Sequence, residues 1–387
     1  MSGSTATTRR VLIVGGGISG LAVSLRLVQA GLPVTLLEAS ELGSAASTRN
    51  QGWLHSGAIY ARESVEYARA CYASQMQTLE FCPNCAEPQI PPMVYLFSRP
   101  DAQVKAWTSA WEKAEIPHQE VPVEQVYRDL PGLCPGSIQH AFQLPDRAFR
   151  PHFLLAELAA AAQNAGVEIR TGAHVGGLMT HDSEVCGVVT STGEEISGKI
   201  VLLAGGSRGF DLCEEFMVAQ PGVQSDVELV RLKRHLVSLD REVGRLPFCI
   251  VDADGLNHIP HPPVSVFGTE QWESIHGDDE HPDASRIEHL CGLIRKFFPA
   301  QAIGPKDRST WAGTIMQALR LDQIEPGKML WPAAVDHAAS GTRISNLISV
   351  FPGRATLWSR VAEEARRLVL SKLDLPVTPT ALPPWAR

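Results

Sequence analysis

The chain has 387 residues, of which 44% are hydrophobic and 20% charged, an ordinary composition for a soluble globular enzyme. Because single hydrophobic cores stop growing at roughly 250–300 residues, this length predicts two substructures. The formal net charge of −8 speaks against a nucleic-acid partner, which would require a basic surface.

The first predicted elements form a βαβ unit. Residues 10–14 are an apolar run typical of a buried strand, residues 18–30 carry one apolar helical face, and residues 33–37 predict a second, parallel strand. The first run is too short for a signal peptide or a membrane span. We therefore expect a cytoplasmic protein with reduced cysteines and no integral membrane segment.

The remaining elements follow in chain order. They are helices over 64–81, 153–165 and 356–373, strands over 167–170, 199–206 and 227–240, and a proline-rich tail. Prolines are also frequent from 86 to 149, which suits an inserted segment of strands and loops.

Cys82-Pro83-Asn84-Cys85 is the one cysteine pair with ligand spacing. A zinc site needs a second pair or nearby histidines, and Cys71 is the only other cysteine nearby in the sequence. We therefore expect no metal and two unconnected thiols, with a local disulfide as the alternative.

A glycine-rich turn joins the first strand to the first helix. Gly15, Gly17 and Gly20 fit the pattern G-x-G-x-x-G, in which glycines permit a tight turn and a close approach of the backbone to a pyrophosphate. Glu38 ends the second strand, where an acid can accept hydrogen bonds from ribose hydroxyls. The pattern therefore predicts a dinucleotide site.

The stretch from Ser47 to Tyr60 indicates that the cofactor is a flavin and not a nicotinamide. Its text, STRNQGWLHSGAIY, resembles the FAD-dependent glycerol-3-phosphate dehydrogenases and oxidases and the L-2-hydroxyglutarate dehydrogenases of the D-amino-acid-oxidase-like superfamily. Residues 347–356 resemble the C-terminal flavin segment of that group, with Pro352 in place of a glycine and Arg354 in place of a lysine. The resemblance implies FAD as cofactor.

The resemblance also implies the architecture. We predict an α/β protein with a discontinuous Rossmann-like FAD-binding domain and an inserted α+β substrate domain of mostly antiparallel sheet. The ranges are 9–85, 150–225 and 331–374 for the first domain, 86–149 and 226–330 for the second, and 375–387 for the tail. The implied cofactor-binding residues are Gly15, Gly17, Ile18, Ser19, Gly20, Glu38, Ala39, Ser47, Thr48, Arg49, Asn50, Gly52, Leu54, Val175, Ala204, Gly205, Gly353, Arg354, Ala355 and Thr356.

Catalytic candidates come from two places. His235 lies in a strand that resembles one in which the family carries a histidine over the flavin, and a histidine has a pKa suited to a general base. The alternative is a half-exposed strand histidine whose pKa is lowered by Lys233 and Arg234. His55 and Tyr60 are the other candidates, and packing against the flavin is the alternative for His55.

At three positions the sequence differs from the glycerol-3-phosphate enzymes in residues that would contact the substrate. The phosphate-binding arginines of the glycerol-3-phosphate enzymes are replaced by Ile59, Ile315 and Val335, so we expect a less anionic substrate than glycerol 3-phosphate. The predicted substrate residues are Ile59, Tyr60, His235 and Ile315.

The resulting hypothesis is oxidation of a CH–OH group of a small molecule by hydride transfer to flavin, with oxygen, a quinone or a protein as electron acceptor. CH–NH oxidation of an amine or amino acid is the alternative, since this superfamily performs both reactions. A flavin-binding scaffold without catalytic activity is the third possibility.

Overall fold

The structure, a computed structural model, describes residues 9–100, 103–209, 212, 227–275, 279–320, 333–338 and 344–377. The helices within these residues are α1 Ile18–Gln29, α2 Val65–Phe81, α3 Val104–Lys113, α4 Val123–Asp129, α5 Pro151–Asn164, α6 Ala284–Phe297 and α7 Trp358–Lys372. No described helix is long and apolar enough to cross a membrane.

The strands are, in chain order, β1 Val11–Val14, β2 Val34–Leu37, β3 Trp53–Leu54, β4 Val94–Phe97, β5 Gln119–Glu120, β6 His140–Gln143, β7 Arg147–Ala148, β8 Glu168–Arg170, β9 Val175–His181, β10 Glu184–Thr190, β11 Glu195–Ser197, β12 Ile200–Leu203, β13 Val227–Leu239, β14 Phe248–Ile250, β15 Leu256–His261, β16 Val264–Gly268, β17 Glu273–Ile275, β18 Arg308–Arg320, β19 Ala333–Asp336 and β20 Leu347–Phe351.

The first sheet is mostly parallel. Its strand order is β19-β20-β12-β1-β2-β8, and only the β19–β20 pair is antiparallel. Ile13 packs into a core with α1, α5 and α7, whereas its neighbour Leu12 packs against strands β10 and β11. Both faces of the sheet are therefore covered, which is why its strands are apolar without interruption.

The second sheet is mostly antiparallel. Its order is β17-β13-β16-β15-β14-β4-β6-β5, and β18 pairs with β13 along the whole of that strand. Only the pair of β4 and β14 is parallel. Helix α6 packs on this sheet through Ile287, Leu290 and Ile294. The predicted α/β class, with a second sheet of mostly antiparallel strands, is confirmed.

We propose the two-domain division predicted from the sequence, because strands β4, β5 and β6 share the second sheet with the strands of 227–320. Strand β7 pairs instead with β3 in a separate two-stranded sheet. The predicted boundaries at 225 and 331 lie outside the described residues. So do residues 378–387 of the predicted tail.

His258 gives a test of this core. Its ring is fully buried between Phe248 and Phe267, with centroid distances of 5.3 and 4.9 Å, and Nδ1 lies 3.3 Å from the Leu246 carbonyl oxygen. Burial lowers the pKa of His258 to about 3, because the charged ring would lose its hydration.

We predict that the free energy of unfolding decreases at acidic pH because His258 takes up a proton more readily in the unfolded chain. The unfolded chain takes up a proton at His258 near its ordinary pKa of 6.5, which the folded chain does not do until about 3. The stabilisation present above pH 6.5 is therefore lost as the pH falls toward 3, by about 1.4 kcal/mol per pH unit. Urea unfolding from pH 7 to pH 5 should show this slope in the parent and a smaller one in His258→Gln. Equal slopes would contradict the assignment.

Candidate functional site

The glycine turn after β1 leaves no space for side chains. Gly15 has φ +114°, and a Cβ there would lie 2.6 Å from the carbonyl oxygen of Ala204. A Cβ on Gly20 would collide with the carbonyl oxygen of Gly15. These contacts hold β1, β12 and the start of α1 against one another, as the dinucleotide fingerprint requires.

Two polar side chains hold this turn from outside. Glu38 accepts hydrogen bonds from the Gly16 amide at 2.6 Å and from the Ser40 amide at 2.9 Å. Ser47 Oγ accepts from the Ile18 amide at 3.1 Å, and α1 has no side-chain cap of its own at Gly17. These two contacts fix the backbone at the start of α1, the part of a helix whose N–H groups suit a pyrophosphate.

The stretch from Ser47 to Tyr60 is held in one conformation by local contacts. Asn50 Oδ1 accepts from the Gly52 amide at 2.8 Å, and Gly52 has φ +75°. The ring of His261 lies 3.0 Å from the Gln51 carbonyl oxygen and 2.8 Å from Glu87 Oε1. A Cβ on Gly52 would lie 2.5 Å from the Phe149 carbonyl oxygen and would collide with the His261 ring, so a side chain at that position would displace the ring.

This stretch forms one wall of an open cleft with about 1060 Å³ of empty space, the solvent at its mouth included. The remaining walls come from the turn after β12, from β13 and β18, and from the segment after β20. The lining residues are Ile18, Ser19, Ala46, Ser47, Arg49, Asn50, Gln51, Trp53, His55, Gly206, Ser207, Arg234, Leu236, Trp272, Gly313, Thr314, Ile315, Met316, Val350, Phe351, Pro352, Gly353, Arg354, Ala355 and Thr356.

The structure brings many of the predicted residues together at this cleft. Those that line it are Ile18, Ser19, Ser47, Arg49, Asn50, His55, Ile315, Gly353, Arg354, Ala355 and Thr356. The others lie outside its wall, namely Gly15, Gly17, Gly20, Glu38, Ala39, Thr48, Gly52, Leu54, Ile59, Tyr60, Val175, Ala204, Gly205 and His235. Several of the latter, such as Gly15 and Glu38, belong to the turn described above.

His235 does not face the cleft, contrary to the sequence prediction. Arg234 and Leu236 line the cleft, and side chains alternate between the two faces of a strand. The His235 ring instead lies near Glu273, with Nδ1 3.4 Å from Oε1. Burial lowers the pKa of His235, Glu273 raises it, and Lys233 lowers it. The His235 side chain therefore lies on the face of β13 away from the cleft, and its role as a base stays a prediction.

Two arginines, Arg234 and Arg354, lie at the wall of the cleft. Arg234 donates from Nη1 to Glu270 Oε1 at 2.8 Å, and Arg354 donates from Nε to Tyr60 Oη at 3.0 Å. The guanidinium carbons lie 5.2 and 4.6 Å from the ring centroid of Trp272, which lies between them. The isoleucines at 59 and 315 remove charge from two positions, but the cleft gains charge from two others.

Several buried polar atoms at the cleft have no hydrogen-bond partner among the described residues. They are Nε and Nη2 of Arg234, both amide atoms of Gln51, and Nδ1 of His55. Since an unpaired buried polar group costs about 1–3 kcal/mol, such a set indicates a place for a polar ligand. Sequence reasoning missed Gln51, Trp272 and Glu270, and it treated Arg234 only as a neighbour of His235.

His55 is a neutral ring at physiological pH. Its side chain is buried and stacks on Trp53 with a centroid distance of 4.2 Å. Burial, followed by the charges of Arg354 and Arg234, lowers its pKa well below 6.5. The pKa of Tyr60 is raised mainly by burial, so its hydroxyl keeps its proton and is available to Glu270 Oε2 at 3.4 Å.

Comparison with known proteins identifies relatives of two kinds. One component of the anaerobic glycerol-3-phosphate dehydrogenase of Escherichia coli (strain K12) is 26% identical over 377 residues, which cover 94% of this chain and 67% of that protein. Glycine oxidase of Pseudomonas aeruginosa is 29% identical over 319 residues, which cover 79% of this chain and 82% of that enzyme.

A solved structure shares the fold. The dithionite-reduced L-α-glycerophosphate oxidase of Mycoplasma pneumoniae, which has FAD bound, matches with a TM-score of 0.69 at 16% identity, over 93% of this chain and 94% of that one. The sequence model of the DAO family, described as FAD dependent oxidoreductase, matches residues 10–331. The chain therefore belongs to the DAO family of FAD-dependent oxidoreductases, and FAD is its cofactor.

Proposed function

We propose that this FAD-dependent oxidoreductase oxidises a small molecule that binds through a carboxylate and carries an amine on the carbon to be oxidised. The observation that carries the proposal is the Arg234 side chain, which lines the cleft with Nε and Nη2 unpartnered while Nη1 is held by Glu270. The Nε–Nη2 edge of a guanidinium matches the two oxygens of a carboxylate, which can accept both hydrogen bonds at once.

The charge of the wall supports an anionic ligand. Arg234 and Arg354 bring two positive charges; Glu270 accepts from Arg234 and from Tyr60, and Glu63 lies near enough to interact with Arg354. Among the described residues no carboxylate pairs with Nε or Nη2 of Arg234, so a bound carboxylate would take that position. Ile59 and Ile315 stand where the glycerol-3-phosphate enzymes carry arginines, so glycerol 3-phosphate stays outside the proposal.

An amine fits the remainder of the cleft better when it is uncharged. Glu270 is engaged by Arg234 and lies near the Tyr60 hydroxyl, so an ammonium group would lie there without a counter-charge. The substrate amine would therefore release its proton on binding and would not need a strong base. When bound, FAD supplies the acceptor for the hydride equivalent, and oxygen, a quinone or a protein takes the electrons onward.

A 2-hydroxy acid is the second candidate, and the position of His55 favours it. Its Nδ1 has no partner among the described residues, and its ring is held neutral by burial. A neutral imidazole can accept the hydroxyl proton during CH–OH oxidation. The carboxylate of such a substrate would use the same Arg234 edge.

The FAD cradle is proposed to depend on the tight turn at Gly15. Gly15→Ala would place a Cβ against Ala204 in a left-handed backbone, so we expect at least an about tenfold weaker FAD affinity, measured by fluorescence titration of the apoprotein. Gly31→Ala is the matched control, because Gly31 also has a positive φ of +83° but has open space around it. Equal losses in both variants would assign the effect to backbone strain alone.

The role of Arg234 can be measured on the reaction. Removing a charged hydrogen-bond donor pair costs about 2–3 kcal/mol, so Arg234→Met should lower kcat/KM for the best carboxylate substrate by roughly 30- to 150-fold. FAD content should stay at the parent level. His235→Gln, on the opposite face of β13, should leave kcat/KM unchanged. A comparable loss in His235→Gln would show that the strand faces are assigned wrongly.

The two candidate substrates differ in pH dependence. An amino acid that must bind uncharged should reduce FAD faster as pH rises, by about tenfold per pH unit below the pKa of its bound amine. A 2-hydroxy acid that relies on His55 should show no such rise above pH 6.5, because the pKa of His55 lies well below that value. Anaerobic stopped-flow with amino and hydroxy acids of the same carbon skeleton distinguishes them. Faster, pH-independent reduction by the hydroxy acid would favour the second candidate.

A further inference from the structure

Cys82 and Cys85 lie in contact at the end of α2, away from the residues that line the cleft. Residues Pro83–Cys85 form a 3-10 turn directly after the helix, and the Cys85 amide donates to the Cys82 carbonyl at 3.0 Å. The turn places the two free thiols next to each other. Within the described part of the chain, no group of three or more His, Cys, Asp or Glu side chains could hold a metal there.

The two thiols differ in acidity. The hydrogen bond from Cys85 lowers the pKa of Cys82, burial and Glu157 raise it, and Arg150 lowers it. The same hydrogen bond, followed by burial, raises the pKa of Cys85. The lowered pKa favours Cys82 over Cys85 as the thiolate of the pair. This is the arrangement of a nucleophilic and a resolving cysteine.

We propose that Cys82 and Cys85 are a reversible redox site, at which a small peroxide converts the dithiol to a disulfide. The Cys82 thiolate attacks one oxygen of hydrogen peroxide, which breaks the O–O bond, releases hydroxide and leaves a sulfenic acid. The Cys85 sulfur then attacks Cys82 Sγ and displaces water. Two thiols are oxidised, one peroxide is reduced to two waters, and no further reactant is needed.

A small oxidant suits the burial of the pair. Cys82 has 2% of its surface exposed and Cys85 none, so a bulky disulfide would not reach the sulfurs as readily as a peroxide. The turn is also tied to the FAD side of the cleft. The Cys85 carbonyl accepts from the Arg150 amide at 2.7 Å, and the preceding residue, Phe149, donates to the Gly52 carbonyl at 2.8 Å. A disulfide would therefore stiffen the support of the Ser47–Tyr60 stretch.

The test is thiol counting on the holoenzyme. Protein purified with reductant is exposed to excess hydrogen peroxide, then unfolded, alkylated and mapped by mass spectrometry. We expect the eight alkylatable cysteines to fall to six, with the peptide that holds both Cys82 and Cys85 lighter by two hydrogen atoms and restored by dithiothreitol. Cys82→Ser should keep its seven remaining thiols under the same treatment. Cys71→Ser, which removes a buried thiol elsewhere, should still form the disulfide.

Three results would overturn the proposal. They are eight intact thiols after peroxide treatment, a Cys82 sulfinic acid beside a Cys85 that is still alkylated, and the same thiol loss in the parent and in Cys82→Ser. Thermal unfolding of the parent gives a readout that needs no variant. The oxidised form should melt at a higher temperature than the reduced form, and a lower melting temperature would mean that the turn cannot accommodate the disulfide.

Discussion

The charge balance around Trp272 governs the cleft. Two guanidinium groups, from Arg234 and Arg354, lie near one indole ring, at 5.2 and 4.6 Å. Arg234 donates to the carboxylate of Glu270, and Arg354 donates to the hydroxyl of Tyr60, which itself donates to Glu270. Bringing two like charges out of water is unfavourable unless negative charge compensates them. Within the described residues Glu270 accepts from Arg234 and Glu63 interacts with Arg354, while Nε and Nη2 of Arg234 have no partner; this free edge is where we propose that an organic anion binds.

The same charges determine the state of the nearby titratable groups. Burial, followed by the two arginines, keeps His55 unprotonated, so the cleft offers a neutral proton acceptor in place of a second cation. Tyr60 keeps its proton because burial outweighs the effect of Arg354. The wall therefore combines donors for an anion with a single weak base, which suits oxidation of an amine or a hydroxyl next to a carboxylate.

The sequence predicted the dinucleotide turn well because its determinants are local. Gly15, Gly20 and Glu38 lie within one βαβ unit, where the spacing of strand, turn and helix follows from periodicity alone. The structure shows why glycine is required at both glycine positions, since a Cβ on either would meet backbone atoms. The Ser47–Tyr60 stretch was recognisable from its residue order.

The substrate wall was less predictable because it depends on strand pairing. The sequence around residues 233–236 does not show which alternate side chains of β13 face the cleft. Their orientation follows from the pairing of β13 with β18 and β16. Residues 51, 270 and 272 come from distant parts of the chain with no motif of their own. Only the packed fold places them beside Arg234.

The most direct test of the account is ligand binding without turnover. Propionate and its uncharged isostere propionamide can each be titrated into the oxidised holoenzyme while the visible absorbance of FAD is followed. The account predicts that propionate binds tighter than propionamide by roughly 30-fold or more, because only the carboxylate can pair with the free edge of Arg234. Equal affinity for the two ligands, or tighter binding of the amide, would contradict it.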